Sequence, residues 1–152
     1  MQYWLMKSEP SEFSIDDLER AGIEPWDGVR NYQVRNMFRD QFRIDDRALF
    51  YHSNCSDIGI VGEMSIVSQA YPDPTQFDSQ NAHYDPQSTV DNPRWLLVDV
   101  QFVAKFSYTI TRKELSEIPE FNTSVLLQKG NRLSVLPITH EQYQAIHTRA
   151  VT

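Results

Sequence analysis

The longest strand pattern in this sequence is Trp95-Leu96-Leu97-Val98-Asp99-Val100-Gln101-Phe102-Val103-Ala104-Lys105-Phe106. Within it, apolar side chains at positions 98, 100 and 102 alternate with polar side chains at positions 99 and 101. Successive side chains of a strand point to opposite faces, so this alternation indicates one buried and one exposed face. We therefore predict a half-buried strand over residues 95–106.

Four shorter strand patterns accompany this one. They cover residues 3–6, 48–51, 59–67 and 133–136. Gly62 interrupts the third pattern, and an isolated glycine inside a strand indicates a bulge or a close approach of another backbone. The sequence therefore predicts a sheet with at least one irregular strand.

Helix starts are marked by capping residues. Ser14, Thr111 and Thr139 are each followed three positions later by an acidic or amide side chain, which is the capping-box pattern. The clearest helix is predicted over about residues 31–42, where apolar side chains recur at helical spacing. Strands that do not alternate strictly with helices favour an α+β fold, with a curved sheet or barrel and short flanking helices.

The length and charge of the chain limit its function. The sequence has 152 residues, which predicts a single domain over residues 1–152. Its formal net charge is -7, and this argues against a protein that holds long nucleic acid mainly through phosphates. A protein that recognises one base stays possible on these grounds, because stacking and hydrogen bonds in a pocket can supply the binding energy.

The sequence gives no indication of a metalloprotein or of a membrane protein. Cys55 is the single cysteine, so neither an internal disulfide nor a cysteine zinc site is expected, and a cytoplasmic, reducing location fits. No apolar run approaches the roughly 20 residues of a membrane span, and residues 1–7 predict a strand rather than a signal peptide. The histidines lack metal-ligand spacing, so we expect no metal and no cofactor; they are His52, His83, His140 and His147.

Polar side chains with a tryptophan are concentrated in Trp26-Asp27-Gly28-Val29-Arg30-Asn31-Tyr32. They could bind a heterocycle, with the tryptophan as a flat wall. Taken alone, however, the residues favour the start of a helix with a core tryptophan, since most tryptophans are core residues. Lys7-Ser8-Glu9 follows the first strand and fits a ligand rim or an ordinary turn equally well.

Arg35, Arg39 and Arg43 are spaced four residues apart and so share one face of the predicted helix. They are the best candidates for a phosphate-binding surface in an acidic chain. The alternative, which composition favours, is a solvated helix face paired with nearby acids.

Residues 71–93 form the one long irregular stretch, which is rich in proline and turn-forming residues. Such a long loop is often functional or mobile. The chain has no P-loop, no Gly-x-Gly-x-x-Gly and no Gly-x-Ser-x-Gly motif, and we predict that it is not an enzyme, with no catalytic residue. Two alternatives stay open: a hydrolase or transferase of a nucleotide-like ligand with Glu9 or Asp73 as general base, and an acidic protein-interaction adaptor.

Several motifs occur together in a characteristic order. They cover residues 3–10, 13–18, 26–33, 50–55, 59–62, 70–78, 95–100 and 132–135. In this order, and over nearly the whole chain, they resemble the EVE domain family, which belongs to the PUA-like group and is similar to YTH domains. The resemblance implies a PUA-like fold, a curved β-sheet or pseudo-barrel with flanking short helices. It also implies binding of a modified base such as 5-methylcytosine or 5-hydroxymethylcytosine in DNA, or of a modified RNA base.

The resemblance further implies a pocket built from three segments. These supply Lys7, Ser8 and Glu9; Trp26, Asp27, Arg30 and Asn31; and Tyr71, Pro72 and Asp73, with Ser53 and Asn54 at the rim. Residue type then suggests the roles.

Trp26 is expected to stack on the base, with Tyr71 as a second wall. The side chains expected to contact its polar edge are Ser8, Asn31 and Asp73. Arg30, with Arg35 or Arg39, is expected to hold flanking phosphates. The expected partner is a single-stranded or flipped-out modified nucleotide, or a free nucleobase, and no membrane.

Overall fold

The computed structural model describes residues 1–151. Its strands are β1 (Tyr3–Ser8), β2 (Ile23–Pro25), β3 (Arg47–His52), β4 (Gly59–Ile66), β5 (Tyr71–Pro72), β6 (Leu96–Leu97), β7 (Asp99–Thr111) and β8 (Val135–Ile138). Its α-helices are α1 (Ile15–Ala21), α2 (Tyr32–Asp40), α3 (Arg112–Ser116) and α4 (His140–Val151). Short 3₁₀ turns cover Pro74–Phe77, Pro119–Phe121 and Val125–Leu127.

Six of these strands form one curled sheet in the order β2-β7-β4-β3-β1-β8. β1 and β3 are parallel, whereas the other neighbouring strands are antiparallel. The predicted α+β fold with a PUA-like curved sheet and short helices is confirmed. Among the described residues, no helix combines the length and the apolar character that crossing a membrane requires.

The predicted helix caps are present. Ser14 and Asp17 form a capping box, in which the Ser14 hydroxyl accepts from the Asp17 backbone and the Asp17 carboxylate accepts from the Ser14 backbone. Thr139 and Gln142 exchange the same pair of bonds, at 2.9 and 3.0 Å. The Thr111 hydroxyl caps α3. These short helices thus begin where local hydrogen bonding dictates.

Gly62 lies at the expected irregularity of β4, where the register with β7 shifts between Ile60 and Gly62. A Cβ atom on Gly62 would lie 2.5 Å from the carbonyl oxygen of Ala104 and 2.7 Å from the Ile15 side chain. The glycine is therefore required by close packing on both sides, and the prediction of a close approach is confirmed.

The sheet is buried on both faces. In β1, Trp4 and Met6 join one apolar cluster, which includes the buried side chains of α1 and α2. Leu5 points the other way and joins a second cluster, which includes Leu115 of α3 and Ile146 of α4. Burial on both faces explains why residues 3–6 of β1 form a continuous apolar run instead of alternating.

The other predicted strands differ from the structure by one or two residues at their ends, and three elements differ in ways that matter for the fold. The strand predicted over residues 95–106 is divided at Val98, because β6 pairs with β5 while β7 joins the large sheet and continues to Thr111. The strand predicted over residues 133–136 begins two residues later, at Val135, and α2 ends at Asp40 rather than at residue 42. The predicted long loop contains β5 and a 3₁₀ turn.

Candidate functional site

A cleft of about 700 Å³ opens where the end of β1 meets the β2–α2 connection and the start of β8. The sequence-predicted residues that line it are Lys7, Ser8, Glu9, Trp26, Asp27, Arg30 and Ser53. Residues 132–134 form another wall. Two of the three predicted segments are thus brought together, and a segment that was not predicted completes the cleft.

Strand direction places the first wall. β1 and β3 are parallel, so their carboxyl ends meet at the same edge of the sheet. There the backbone N–H of Ser53 donates to the carbonyl oxygen of Ser8 at 3.0 Å. On the other side of β1, the backbone N–H of Lys7 donates to the carbonyl oxygen of Ser134 at 2.8 Å. Three separate segments are in this way fixed side by side.

Trp26 belongs to the core and to the cleft at once. It is 8% exposed and packs edge-on against Phe50, with ring centroids 5.4 Å apart. Little of a ring face is left for stacking. The indoles of Trp4 and Trp95 donate to Asp46 and Asp85 at 3.0 and 2.8 Å. Within residues 1–151 the Trp26 indole N–H has no such acceptor, so its donor is available to a ligand in the cleft.

Asp73 has a structural role. Its side chain is fully buried, and it accepts hydrogen bonds from the backbone N–H groups of Gly28 and Thr75, both at 2.8 Å, and from Arg30 Nη1 at 3.1 Å. Burial by itself would raise the pKa of this carboxyl, but the hydrogen bonds from Thr75, Gly28 and Arg30 outweigh it and lower the pKa. Asp73 therefore does not line the cleft, contrary to its predicted role as a contact to the base edge.

Arg30 holds the long loop in place. Its Nε and Nη2 atoms donate to the carbonyl oxygen of His83 at 3.1 and 2.7 Å, and Nη2 also donates to Thr75 Oγ1 at 3.0 Å. With these bonds and the Asp73 ion pair, every guanidinium nitrogen has a protein partner. Arg30 also lines the cleft, so the predicted phosphate contact would have to compete with these internal acceptors.

His83 lines the cleft and was not predicted from the sequence. Its ring lies over Gly28, where an added Cβ would approach Nε2 to 2.6 Å. Gly28 has φ +81°, which favours glycine. Only the unusual length of the loop around His83 hinted at a function there.

The two predicted asparagines lie outside the cleft lining. The Asn31 side chain caps α2 by accepting from the Val34 backbone at 3.0 Å, which was the bland alternative for this residue. Asn54 Nδ2 donates to Glu9 Oε1 at 3.2 Å, so it positions a cleft residue from behind the rim.

Tyr71 and Pro72 also lie outside the cleft lining, in β5, which pairs with β6. The Tyr71 hydroxyl donates to Asp99 at 2.6 Å. Burial and this hydrogen bond raise the pKa of Tyr71 to about 12. Tyr71 is thus held by Asp99 of β7 and does not form the predicted second wall of this cleft.

Desolvation shifts the pKa values of several ionisable groups that line the cleft. Burial, and then the charge of Asp73, raises the pKa of Asp27. Burial, and then Asp27, raises the pKa of Glu24, another lining residue. Burial, and then Arg112, lowers the pKa of Lys7. The Asp27 and Glu24 carboxyls are thus easier to protonate, and the Lys7 amine easier to deprotonate, than they are in water.

The predicted arginine stripe is largely engaged with the protein. Arg39 pairs with Asp40 at 2.8 Å, Arg35 Nη1 donates to the carbonyl oxygen of Arg94 at 3.0 Å, and Arg43 Nη1 donates to that of Phe42 at 2.9 Å. This arrangement matches the alternative of a solvated helix face with local partners. None of the three arginines lines the cleft.

Comparison with known proteins identifies the family. The family model of the EVE domain matches residues 2–149. Thymocyte nuclear protein 1 of Mus musculus is 46% identical over 162 residues, covering 95% of this chain and 71% of the relative. The Homo sapiens protein of that name is 43% identical, covering 95% and 72%.

Solved structures agree with this assignment. A protein from Pseudomonas syringae superposes with a TM-score of 0.93 at 45% identity, covering 97% of this chain and 99% of that one. Human THYN1 protein, solved in complex with 5-methylcytosine containing DNA, superposes with a TM-score of 0.91 at 41% identity, covering 100% and 99%. The chain described here belongs to the EVE domain family.

Proposed function

We propose that this protein binds a modified base of DNA, with 5-methylcytosine as the first candidate, in the 700 Å³ cleft, and that it does so without catalysis. The human relative solved with 5-methylcytosine containing DNA aligns over the whole chain, which supports this ligand class. A base of a duplex would have to leave the helix to enter the cleft. The modified RNA base and the free nucleobase, which the sequence resemblance also implied, are the competing ligands.

The observation that carries the proposal is the unpartnered indole N–H of Trp26 at the cleft. The N–H groups of the other two tryptophans donate to carboxylates, whereas that of Trp26 has no protein acceptor within residues 1–151. A donor fixed by core packing and left open at a cleft is suited to an acceptor on a ligand, because the rigid ring loses little entropy on binding.

Cytosine offers matching groups on its polar edge. Its O2 and N3 atoms accept hydrogen bonds, and its exocyclic N4 amine donates. The Trp26 N–H can serve one acceptor, and the Asp27 carboxyl can accept from the amine. Ser8 donates its own hydroxyl proton to the Phe13 carbonyl oxygen at 2.6 Å, which leaves the Ser8 oxygen as a further acceptor.

The 5-methyl group requires an apolar contact. Phe13, Val29 and Leu133 all line the cleft and pack against the core cluster. Burial of a methyl group is worth about 0.8 kcal/mol, so a preference of a few-fold over unmodified cytosine follows from this contact alone.

The hydrolase alternative loses one of its two candidate bases. Asp73 is fully buried and holds four hydrogen bonds, so it cannot accept a proton from a ligand in the cleft. Glu9 lines the cleft, but it shares a hydrogen bond with Asn54 rather than with a nucleophile. The adaptor alternative gains no specific support from the surface.

The test is a titration of the whole protein with matched oligonucleotides. Single-stranded and duplex DNA carrying cytosine, 5-methylcytosine or 5-hydroxymethylcytosine at one position are compared with the equivalent RNA and with the free nucleoside. We expect a modified DNA base to bind best. Trp26→Phe keeps the packing but removes the donor, and it should weaken binding about tenfold.

Tyr108→Phe is the matched control, because it also removes a single donor. Tyr108 is an exposed residue of β7 and lies outside the cleft. Thermal unfolding verifies that both variants are folded. Equal affinity for modified and unmodified DNA, or a Trp26→Phe protein that binds like the control, would contradict the proposal.

A further inference from the structure

A second groove, of about 610 Å³, lies beside the base cleft between α2 and β8. Carboxamide side chains line it: Gln33, Asn36, Gln41, Gln128 and Asn131. Met37 and Leu136 contribute apolar surface. Among the described residues, no carboxylate lines this groove, although the chain has a net charge of -7. The groove is thus an exception to the acidic surface and suits a neutral or anionic ligand.

The groove and the cleft share one wall. Lys129, Gly130 and Asn131 line the groove, Arg132 lines the cleft, and Leu133 lines both. We call residues 129–133 the ridge. Because Leu133 lines both, the two cavities adjoin, and a ligand that fills the cleft and continues over the ridge would enter the groove.

The cations of the ridge are available. Arg132 and Lys129 are exposed, and neither forms an ion pair within residues 1–151. Arg30 and Arg39, by contrast, are paired with Asp73 and Asp40. Lys7 also lines the cleft without an ion pair to any described residue, whereas no arginine of the predicted stripe lines it. The unpaired cations at the cleft are therefore Lys7 and those of the ridge, and only the ridge cations also adjoin the groove.

Asn131 supplies an independent sign of a ligand. Its side-chain oxygen accepts from the Leu133 backbone at 3.2 Å. Its Nδ2 atom is the buried side-chain polar atom that has no hydrogen-bond partner within residues 1–151. A buried amide without a partner is unfavourable, and an acceptor bound in the groove would relieve this.

We propose that the groove binds the unmodified nucleotide next to the captured base on the same strand, and that Arg132 holds the phosphate between the two. This inference rests on the proposed function. Carboxamides pair with the polar edges of any base, and the apolar floor supports a base ring. Neighbouring nucleotides are joined through one phosphate, which matches the single guanidinium of Arg132 on the ridge between the two sites.

The experiment combines two changes in the ligand and one in the protein. Single-stranded DNA with a central 5-methylcytosine is compared with the same strand carrying an abasic spacer on its 5′ or its 3′ side. The groove variant is the double substitution Gln33→Glu and Gln128→Glu, which places two isosteric carboxylates at exposed positions of the groove. Gln101→Glu with Gln144→Glu, also exposed, adds the same charge outside both sites.

Wild-type protein should bind about tenfold more weakly when the abasic spacer replaces the nucleotide on one side of 5-methylcytosine. A spacer on the other side should have little effect. The groove variant should lose about tenfold on the intact strand and become insensitive to the spacer. Its preference for 5-methylcytosine over cytosine should persist, because the cleft is unchanged. The control variant should behave as wild type.

Insensitivity of the wild type to both spacers, with a normal preference for 5-methylcytosine, would overturn the groove and leave the proposed function standing. A groove variant that equals its control would do the same. Absence of any preference in the wild type would instead refute the proposed function, and the groove inference with it.

Discussion

The backbone N–H of Gly28 donates to the buried carboxylate of Asp73 at 2.8 Å, although 45 residues separate them in the sequence. This bond joins the connection that carries Trp26 and Asp27 to the start of the long loop. Arg30 adds an ion pair to the same carboxylate and two hydrogen bonds to the His83 carbonyl oxygen. The shape of the cleft therefore depends on a carboxylate that is buried outside the cleft lining.

Asp73→Asn is expected to lower the free energy of unfolding by about 2 kcal/mol at pH 7, because an amide cannot accept from all the donors that surround it. The pKa of Asp73 is lowered in the folded state. Its contribution is thus complete above the unfolded pKa of about 3.9 and is lost as the pH falls through the lower folded pKa. Denaturant unfolding of both proteins from pH 3 to 7 checks this.

Asp91→Asn makes the same charge change at an exposed position of the same loop and is the control. A difference between Asp73→Asn and wild type that does not shrink below about pH 4 would show that the carboxylate charge is not responsible.

Gly28→Ala is expected to disturb the cleft more than it disturbs the fold. Gly28 and Gly22 both have φ near +80°, so alanine at either position should cost about 1 kcal/mol or more. A Cβ at Gly22 meets nothing within 4 Å, whereas at Gly28 it meets the exposed His83 ring. Similar stabilities, with weaker base binding in Gly28→Ala alone, are therefore expected in calorimetry and titration. Equal binding by both variants would exclude a role for the His83 position.

Local sequence patterns predicted the fold where local forces decide it. The capping boxes at Ser14 and Thr139 depend on bonds within three residues, and the bulge at Gly62 depends on a missing side chain. The division of the long strand at Val98 was not predictable, because it depends on which strands pair there. Pairing is a tertiary property, and a continuous apolar run hides it.

The candidate site was predicted in part for the same reason. Lys7 and Trp26 were found because the family motifs cover them, and both line the cleft. Arg132 also lies in one of the family motifs. Its position beside the cleft, however, follows from the pairing of β8 with β1, which single-sequence patterns do not reveal. Asp73 was assigned to the ligand because residue type suggests chemistry, whereas burial decides whether a ligand can reach it.

Asp27→Asn is expected to weaken base binding and to stabilise the protein only slightly, because Asp27 is an exposed residue and solvent screens its charge. Burial raises the pKa of Asp27 above its unfolded value, so stability falls as the pH rises from about 3.9 through the folded pKa. At pH 7 the variant avoids this penalty, and the difference should vanish below about pH 4. Loss of a charged acceptor should weaken 5-methylcytosine binding about tenfold. A variant that is less stable than wild type, or that binds equally well, would contradict the role assigned to Asp27.

Arg132→Ala and Arg39→Ala separate the two candidate phosphate surfaces. Each removes one guanidinium, but Arg39 is paired with Asp40 whereas Arg132 lies free beside the cleft. For single-stranded DNA with 5-methylcytosine, Arg132→Ala should reduce the slope of log affinity against log salt by about 0.7, the value for one phosphate contact. Because a phosphate contact carries no base information, the preference for 5-methylcytosine should survive. Arg39→Ala should leave the slope unchanged. A slope that is reduced by Arg39→Ala and not by Arg132→Ala would show that the arginine stripe of α2 contacts the phosphate.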